Sequence, residues 1–377
     1  MLALQSEHSC RFDVDRRYAV FNNVVLDIET NKLLEHDVNY RSDMVFDFDY
    51  DPKKRFAFWE EFMVQTIPDE GMRRAFQQYC GAFLANRNKY KIEYICLLVG
   101  TGANGKSVMA KAIVNLFADA LHSSYSPEQL FKSSQKEYFL ADIDGKVVNY
   151  CDDMSNKDFS GGDFKAFTSG AEFTGRHAYS KRPMKVTKVP LMLCCVNEIP
   201  PTTDDTDGYY RRLLPIVCPN IVAEDKRDTQ LPNKLSTKEA KQGIFNWLME
   251  GYKMLVENGG KIQVADSIKN VKENIKNESN SVRRWIKESD FISVTPDGSH
   301  DRRWKSLAEW MRSYQEYCKS YNEIPKTQKA VSKVFKEMKF ATERRSSGTW
   351  YCIGVKDAIL ESVAKPFEYR EEDEVPF

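Results

Sequence analysis

Tyr94-Ile-Cys-Leu-Leu-Val99 runs straight into Gly100-Thr-Gly-Ala-Asn-Gly-Lys-Ser107: an apolar strand, a glycine-rich turn, then a helix expected from Ser107 to about Ala120. This is the P-loop pattern in the context it requires. Closely spaced glycines let backbone N–H groups turn inward around phosphates, and the following helix adds the positive end of its dipole to the same anion. Gly100, Thr101, Gly102, Ala103, Asn104, Gly105, Lys106 and Ser107 are therefore expected to cradle ATP. Lys106 would reach the β- and γ-phosphates, and Ser107 would give its hydroxyl to Mg²⁺.

The chain around this motif is long enough, at 377 residues, for two or three domains. Its longest apolar runs, such as Leu191 to Val196, fall far short of a membrane span, and MLALQSEHSC at the start lacks the basic-then-apolar pattern of export. The expectation is a cytoplasmic protein with no membrane partner. Nine cysteines form no CxxC pair, and Cys96, Cys151, Cys194, Cys195 and Cys218 fall in predicted buried strands, so they read as reduced packing residues. Lysine plus arginine equals aspartate plus glutamate at 55 each, so any nucleic-acid contact must be local. One basic region stands out: Arg302 to Lys356 holds 13 Lys/Arg against five Glu, a net of +8.

Spacing divides the chain further. Residues 1–54 are read as a lead-in segment joining mixed apolar pieces to the acidic-aromatic stretch VFDFDYDP. Residues 55–91 form a helical unit with two apolar stripes, Trp59, Phe62, Met63 and Thr66, then Met72, Phe76, Tyr79, Cys80 and Phe83. Over 92–222, strands alternate with helices as in a parallel-sheet α/β domain. Residues 223–290 read as a helical subdomain, with Ser236 and Glu239 as a capping box, Gly259-Gly260 as a stop and a charged helix from about Asp266 to Lys287. Residues 291–360 combine helices near 305–321 and 327–338 with a glycine-containing hairpin up to Val355, and 361–377 form an acidic tail.

Residues beyond the P-loop narrow its chemistry. Asp152-Asp153 end the strand Val147 to Cys151, where Asp152 would hold the Mg²⁺ shell and Asp153 would orient or deprotonate the attacking water. A strand that ends in acids can also be an ordinary turn or helix cap. Asn197 ends the strand Leu191 to Val196 and is a candidate γ-phosphate sensor, or else simply starts the turn into Pro200. Arg211-Arg212 suit the charge on a transferring phosphoryl group, with a solvated basic corner as the alternative. Between these strands, Ser180-Lys181-Arg182-Pro183 reads as the basic tip of a β-hairpin, able to touch phosphates of DNA or to be a plain charged turn.

The order of parts resembles the superfamily 3 helicases, and within them the helicase half of phage and plasmid primase-helicases. The likeness rests on GTGANGKS (Gly100 to Ser107), KVVNYCDDM (Lys146 to Met154), FKAFTSG with GRHAYSKR (Phe164 to Arg182), LMLCCVNEIPP (Leu191 to Pro201) and DTDGYYRRLLPIVCP (Asp205 to Pro219). Outside that span, VVLDIETNKLLEH is similar to the segment joining primase to helicase, and the C-terminal unit to a winged helix. The resemblance implies an α/β fold: an AAA+-like P-loop parallel sheet core with an N-terminal helical unit and a C-terminal helical and winged-helix unit. It implies a hexameric ring with ATP between neighbouring subunits, Lys106 and Ser107 on the phosphates and Mg²⁺, Asp152 and Asp153 as the Walker B pair, and Asn197 as the sensor. Arg211 or Arg212 would be the finger entering the next subunit's site, and Lys181-Arg182 the channel hairpin on single-stranded DNA. Lys165, Arg176 and Lys146 are lesser DNA candidates. Many relatives carry Asp-Glu where this chain has Asp152-Asp153. A primase does not fit before Arg55, so it would be a separate chain or belong to a longer protein.

The expected function is thus an ATP-dependent replicative DNA helicase of a phage, plasmid or related element. The other reading is a P-loop ATPase acting as a nucleotide-controlled DNA-loading switch without unwinding. Lys326, Lys329, Lys333 and Lys336 lie along one predicted helix, and Arg344-Arg345 precede the apparent wing, which suits duplex origin DNA or, alternatively, a structural collar with a solvated face.

Overall fold

The computed structural model of the chain describes residues 15–85, 89–202, 204, 206–298 and 301–356. The chain divides into two compact units, Met1–Glu273 and Asn274–Phe377. The expected acidic tail, 361–377, lies outside the described residues.

The first unit opens with an antiparallel meander, β1 (Tyr18–Val20), β2 (Val25–Asp27) and β3 (Lys32–Leu34). An extended strap follows, in which Met44, Phe46, Phe48 and Tyr50 are buried while Val45, Asp47 and Asp49 are exposed. It is tied to β1 by Val20 N–H to Met44 O and Phe46 N–H to Val20 O, both 2.8 Å. The rings of Phe21, Phe46, Phe48 and Tyr50 gather around Phe245, with centroids 4.9 to 6.3 Å from it. The stretch read as a lead-in segment therefore contributes to the main core from Ala19 on, and over 44–50 it does so because a period-2 alternation gives the strap one apolar face.

Helices α1 (Ala57–Thr66) and α2 (Glu70–Gly81) bury the two predicted stripes, and Asp69 caps α2 by accepting from Met72 N–H at 2.7 Å. Strand β4 (Ile95–Val99) then leads through the glycine-rich loop into α3 (Lys106–Val114), which ends sooner than the spacing predicts. After it come β5 (His122–Ser123), α4 (Pro127–Phe131), α5 (Lys136–Ile143), β6 (Val148–Cys151) and α6 (Gly162–Thr168). The antiparallel hairpin β7 (Phe173–Gly175) and β8 (Met184–Val186) precedes β9 (Leu191–Val196), α7 (Asp207–Tyr210) and β10 (Leu213–Val217).

Five strands form one parallel sheet in the order β10-β4-β9-β6-β5. Strands β6 and β9 are buried along their whole length, which is why they read as continuous apolar runs. Strand β9 lies between β4 and β6, so the strand ends that carry Gly100, Asn197 and Asp152 come side by side. Ligand sites of parallel sheets form at such carboxyl ends.

Helices α8 (Leu231–Leu235), α9 (Lys238–Glu257) and α10 (Asp266–Ser279) follow. The cap of α9 is Thr237, accepting from Ala240 N–H at 3.2 Å, whereas the expected cap, Ser236, donates to Asn233 O. Helix α9 packs on α2 through Gly81 and Gly251: a Cβ on Gly81 would stand 2.2 Å from Tyr252 N, and one on Gly251 2.0 Å from Gln77 O.

The charged helix expected over 266–287 is two helices, because Asn280 accepts from Val282 and Arg283 N–H and starts α11 (Ser281–Glu288). Val282, Trp285 and Ile286 of α11 join the core of the second unit, which therefore begins well before residue 291. There β11 (Phe291–Ser293), β12 (Trp304–Ser306), α12 (Leu307–Ser320), α13 (Gln328–Glu337), β13 (Ala341–Arg345) and β14 (Gly348–Val355) complete it. Strand β14 pairs antiparallel with β11, β12 and β13, giving two helices backed by a sheet that ends in a hairpin. Trp285, Trp310, Tyr314, Phe335 and Tyr351 fill its interior.

Candidate nucleotide site and nucleic-acid surfaces

The loop after β4 is shaped by left-handed residues, Gly102 at φ +105°, Ala103 at +49° and Gly105 at +78°. Close approach explains Gly100, where a Cβ would lie 2.0 Å from Asn104 Nδ2 and 2.5 Å from Cys218 O. Asn104, buried, donates from Nδ2 to Cys218 O at 2.9 Å and pins the loop to the end of β10. Val222 N–H donates to Ala103 O at 2.8 Å, so the loop is held from both sides. Lys106 is 7% exposed, and its ammonium donates to Gly100 O at 2.7 Å.

Beside it, Asp152 leaves the end of β6 and receives three donors. Lys111 Nζ lies 2.5 Å from Oδ2, Tyr150 O–H donates to Oδ1 at 2.5 Å, and the Ser107 hydroxyl bonds the same carboxylate. Partial burial pushes this carboxyl upward, but Lys111, Tyr150 and Ser107 together outweigh it and hold it below the usual aspartate value. Asp153 is exposed next to it, and Asn197, also exposed, follows Val196, whose carbonyl accepts Gly100 N–H at 3.0 Å. Lys106, Ser107, Asp152 and Asn197 are thus clustered by three adjacent strand ends. The hydroxyl of Ser107 and the carboxylate of Asp152 are hard oxygen donors in contact, a donor pair that suits Mg²⁺ shared with phosphate oxygens.

Two helpers here were not singled out from the sequence. Lys111 lies four residues after Ser107, on the same helical face, and Tyr150 lies two before Asp152, on the same side of the strand. Both spacings were open to inspection.

The arginines part company. Arg212 is turned into the fold, with Nη1 donating to Gly208 O at 2.7 Å and Nη2 to Ser169 Oγ at 3.0 Å. Burial and the neighbouring Arg211 charge lower its pKa. Arg211 is exposed, and its carbonyl lies 3.4 Å from Lys272 Nζ. Lys272 sits over the Tyr94 ring at 5.2 Å, and burial pushes its pKa down to about 8. Both arginines precede β10, whose register with β4 pairs Leu213 with Ile95. They therefore occupy the sheet end opposite the P-loop, roughly 16 Å away by the rise of five strand residues.

Of the candidates for DNA contact, Lys181 and Arg182 are exposed at the tip of β7–β8. Others are engaged within the chain: Lys165 pairs with Asp204 at 2.6 Å, Arg176 with Glu137 at 3.6 Å, and Lys146 donates to His122 O at 2.9 Å. In the second unit Lys329 and Lys333 are exposed on α13, one turn apart, with Lys333 3.8 Å from Glu337.

Known proteins show likenesses to both parts of the first unit. Residues 98–212 match a family described only as one of unknown function, DUF5906, and residues 3–68 match a family described as D5 N terminal like. A putative helicase of Acanthamoeba polyphaga mimivirus is 31% identical over 162 residues, covering 40% of this chain and 16% of that protein. A putative helicase of the Sputnik virophage is 21% identical over 241 residues, covering 56% of this chain and 31% of that protein. The chain thus spans less than a third of the length of either relative. Among solved structures, the apo NrS-1 C-terminal region superposes with a TM-score of 0.50 at 11% identity, covering 82% of this chain and 79% of that one, a likeness of fold. These likenesses run to viral proteins named as helicases. Among the described residues no helix is long and apolar enough to cross a membrane.

Proposed function

We propose that the chain is an ATP-dependent DNA helicase of the superfamily 3 type, serving replication of a virus, phage, plasmid or related element and working as a hexameric ring. One observation carries the reading: Arg211, exposed, stands at the sheet end opposite Lys106, Ser107 and Asp152. A cation about 16 Å from its own P-loop is out of reach of its own triphosphate, which supports a role at another copy's site. ATP with Mg²⁺ supplies the phosphoryl group whose transfer to water drives the motor. Lys106 and the loop amides would hold the phosphates, and Ser107 and Asp152 the metal. Asp153 would orient water or take its proton, Asn197 would sense the γ-phosphate, and Arg211 of a neighbour would meet the charge that develops. The likeness to viral proteins named as helicases supports the same conclusion.

The tip cations Lys181 and Arg182 would follow the backbone of single-stranded DNA, and Lys329 and Lys333 would hold duplex DNA at an origin.

Mixing tests the shared site. Lys106→Ala and Arg211→Ala should each lack ATP turnover, and an equimolar mixture should regain a measurable part of it, because some interfaces then join an intact P-loop to an intact arginine. An active Arg211→Ala protein, or a mixture as inert as its parts, would remove the trans arrangement. ATPase rates with and without single-stranded DNA, followed by strand separation, distinguish a motor from a loading switch.

A further inference from the structure

The tip of the β7–β8 hairpin carries a residue that the fold does not call for. Tyr179 is fully exposed, at 105% relative accessibility, and its φ is +63°. That left-handed region is disfavoured for any residue with a Cβ and is filled readily by glycine or asparagine. A ring wholly in solvent returns nothing by packing to offset the strain. Backbone and burial therefore both argue against tyrosine at this position.

The stem beneath it is firmly held. A Cβ on Gly175 would stand 2.9 Å from the backbone of Ala141, so β7 lies directly against α5. Arg176 N–H donates to Glu137 O at 3.0 Å, and Lys185 pairs with Glu172 across the hairpin at 2.5 Å. At the tip, Ser180 N–H donates to His177 O at 3.0 Å, and the Ser180 hydroxyl both donates to Arg182 O and accepts from Arg182 N–H. The ring is thus carried outward on a fixed support, two and three residues from the exposed cations Lys181 and Arg182.

An outward aromatic next to cations is the pairing that grips an unpaired strand: the ring stacks on a base while the cations take phosphates. Duplex DNA hides its base faces, so the ring suits a single strand. We propose that Tyr179 is a base-stacking contact for single-stranded DNA, a contact that adds affinity independent of salt to the salt-dependent grip of Lys181 and Arg182. The proposal rests on the reading of those two residues as DNA contacts.

The test measures binding of the full chain to a fluorescent oligo-dT across a range of salt, for the wild type, Tyr179→Phe, Tyr179→Asn and Lys181→Ala. Tyr179→Asn should weaken binding about tenfold at every salt concentration, leave the salt slope unchanged, and keep the melting temperature, since asparagine suits the backbone. Tyr179→Phe should bind as the wild type does. Lys181→Ala should instead flatten the slope by roughly 0.7. Wild-type affinity in Tyr179→Asn, with Lys181→Ala still impaired, overturns the stacking role alone. Normal strand binding with lost self-association in Tyr179→Asn also overturns it, by assigning the ring to a neighbouring copy. A wild type that does not bind the oligonucleotide overturns both the stacking role and the hairpin's assignment to DNA.

Discussion

Asp152 is held by more than its motif. Lys111, Tyr150 and Ser107 all donate to it, and the net effect keeps its carboxyl ionised to lower pH than an ordinary aspartate. Lys111→Ala removes one of the groups that lower its pKa, so the carboxyl should titrate at higher pH. The acidic limb of the ATPase pH profile should therefore move upward, which a rate–pH series would detect; an unmoved limb would show that Lys111 does not set this charge. The arginine pair gives a second contrast. Arg212→Ala leaves Gly208 O and the Ser169 hydroxyl without their donor and should cost about 1–3 kcal/mol of stability, read as a lowered melting temperature. Arg211→Ala should leave melting unchanged and abolish turnover. The sequence presented the two as equals, because only the fold decides which guanidinium is turned inward.

Elements were legible in proportion to their length and apolar periodicity. The P-loop strand, β6, β9 and the stripes of α1 and α2 could be read because burial along a whole strand or helix face leaves a continuous signal. Strands of three residues, such as β1 to β3, leave almost none. The strap from Met44 to Tyr50 does carry a signal, the alternation of Phe46, Asp47, Phe48, Asp49 and Tyr50, but its acidic-aromatic composition masks the one-sided extended segment. Asn280 shows the other limit, since a buried polar cap can divide a stretch whose spacing stays helical across the break. The seam between α2 and α9 rests on contacts that spacing does not reveal. Gly251→Ala would place a methyl 2.0 Å from the backbone oxygen of Gln77, which cannot move aside as a side chain could, and should destabilise by about 1–3 kcal/mol. Chemical denaturation would measure it, and a variant as stable as the wild type would mean that the two helices can part without cost.

On the scale of the whole molecule, charge is balanced overall and concentrated locally, so binding to DNA should depend on which unit is present. Each unit has its own apolar core. Substituting both Lys329 and Lys333 by alanine in the full chain should reduce the salt slope for duplex DNA and leave that for single strands alone; equal loss on both would assign α13 to general attraction. Were Arg211 to meet another copy's P-loop, the contact would join the amino ends of one copy's strands to the carboxyl ends of another's; two antiparallel copies could exchange it reciprocally about a two-fold axis, whereas copies set head-to-tail could not close it within a pair. The head-to-tail arrangement would leave one unfilled donor and one unfilled acceptor until the last copy meets the first, so its growth would stop by closure or continue as a helix.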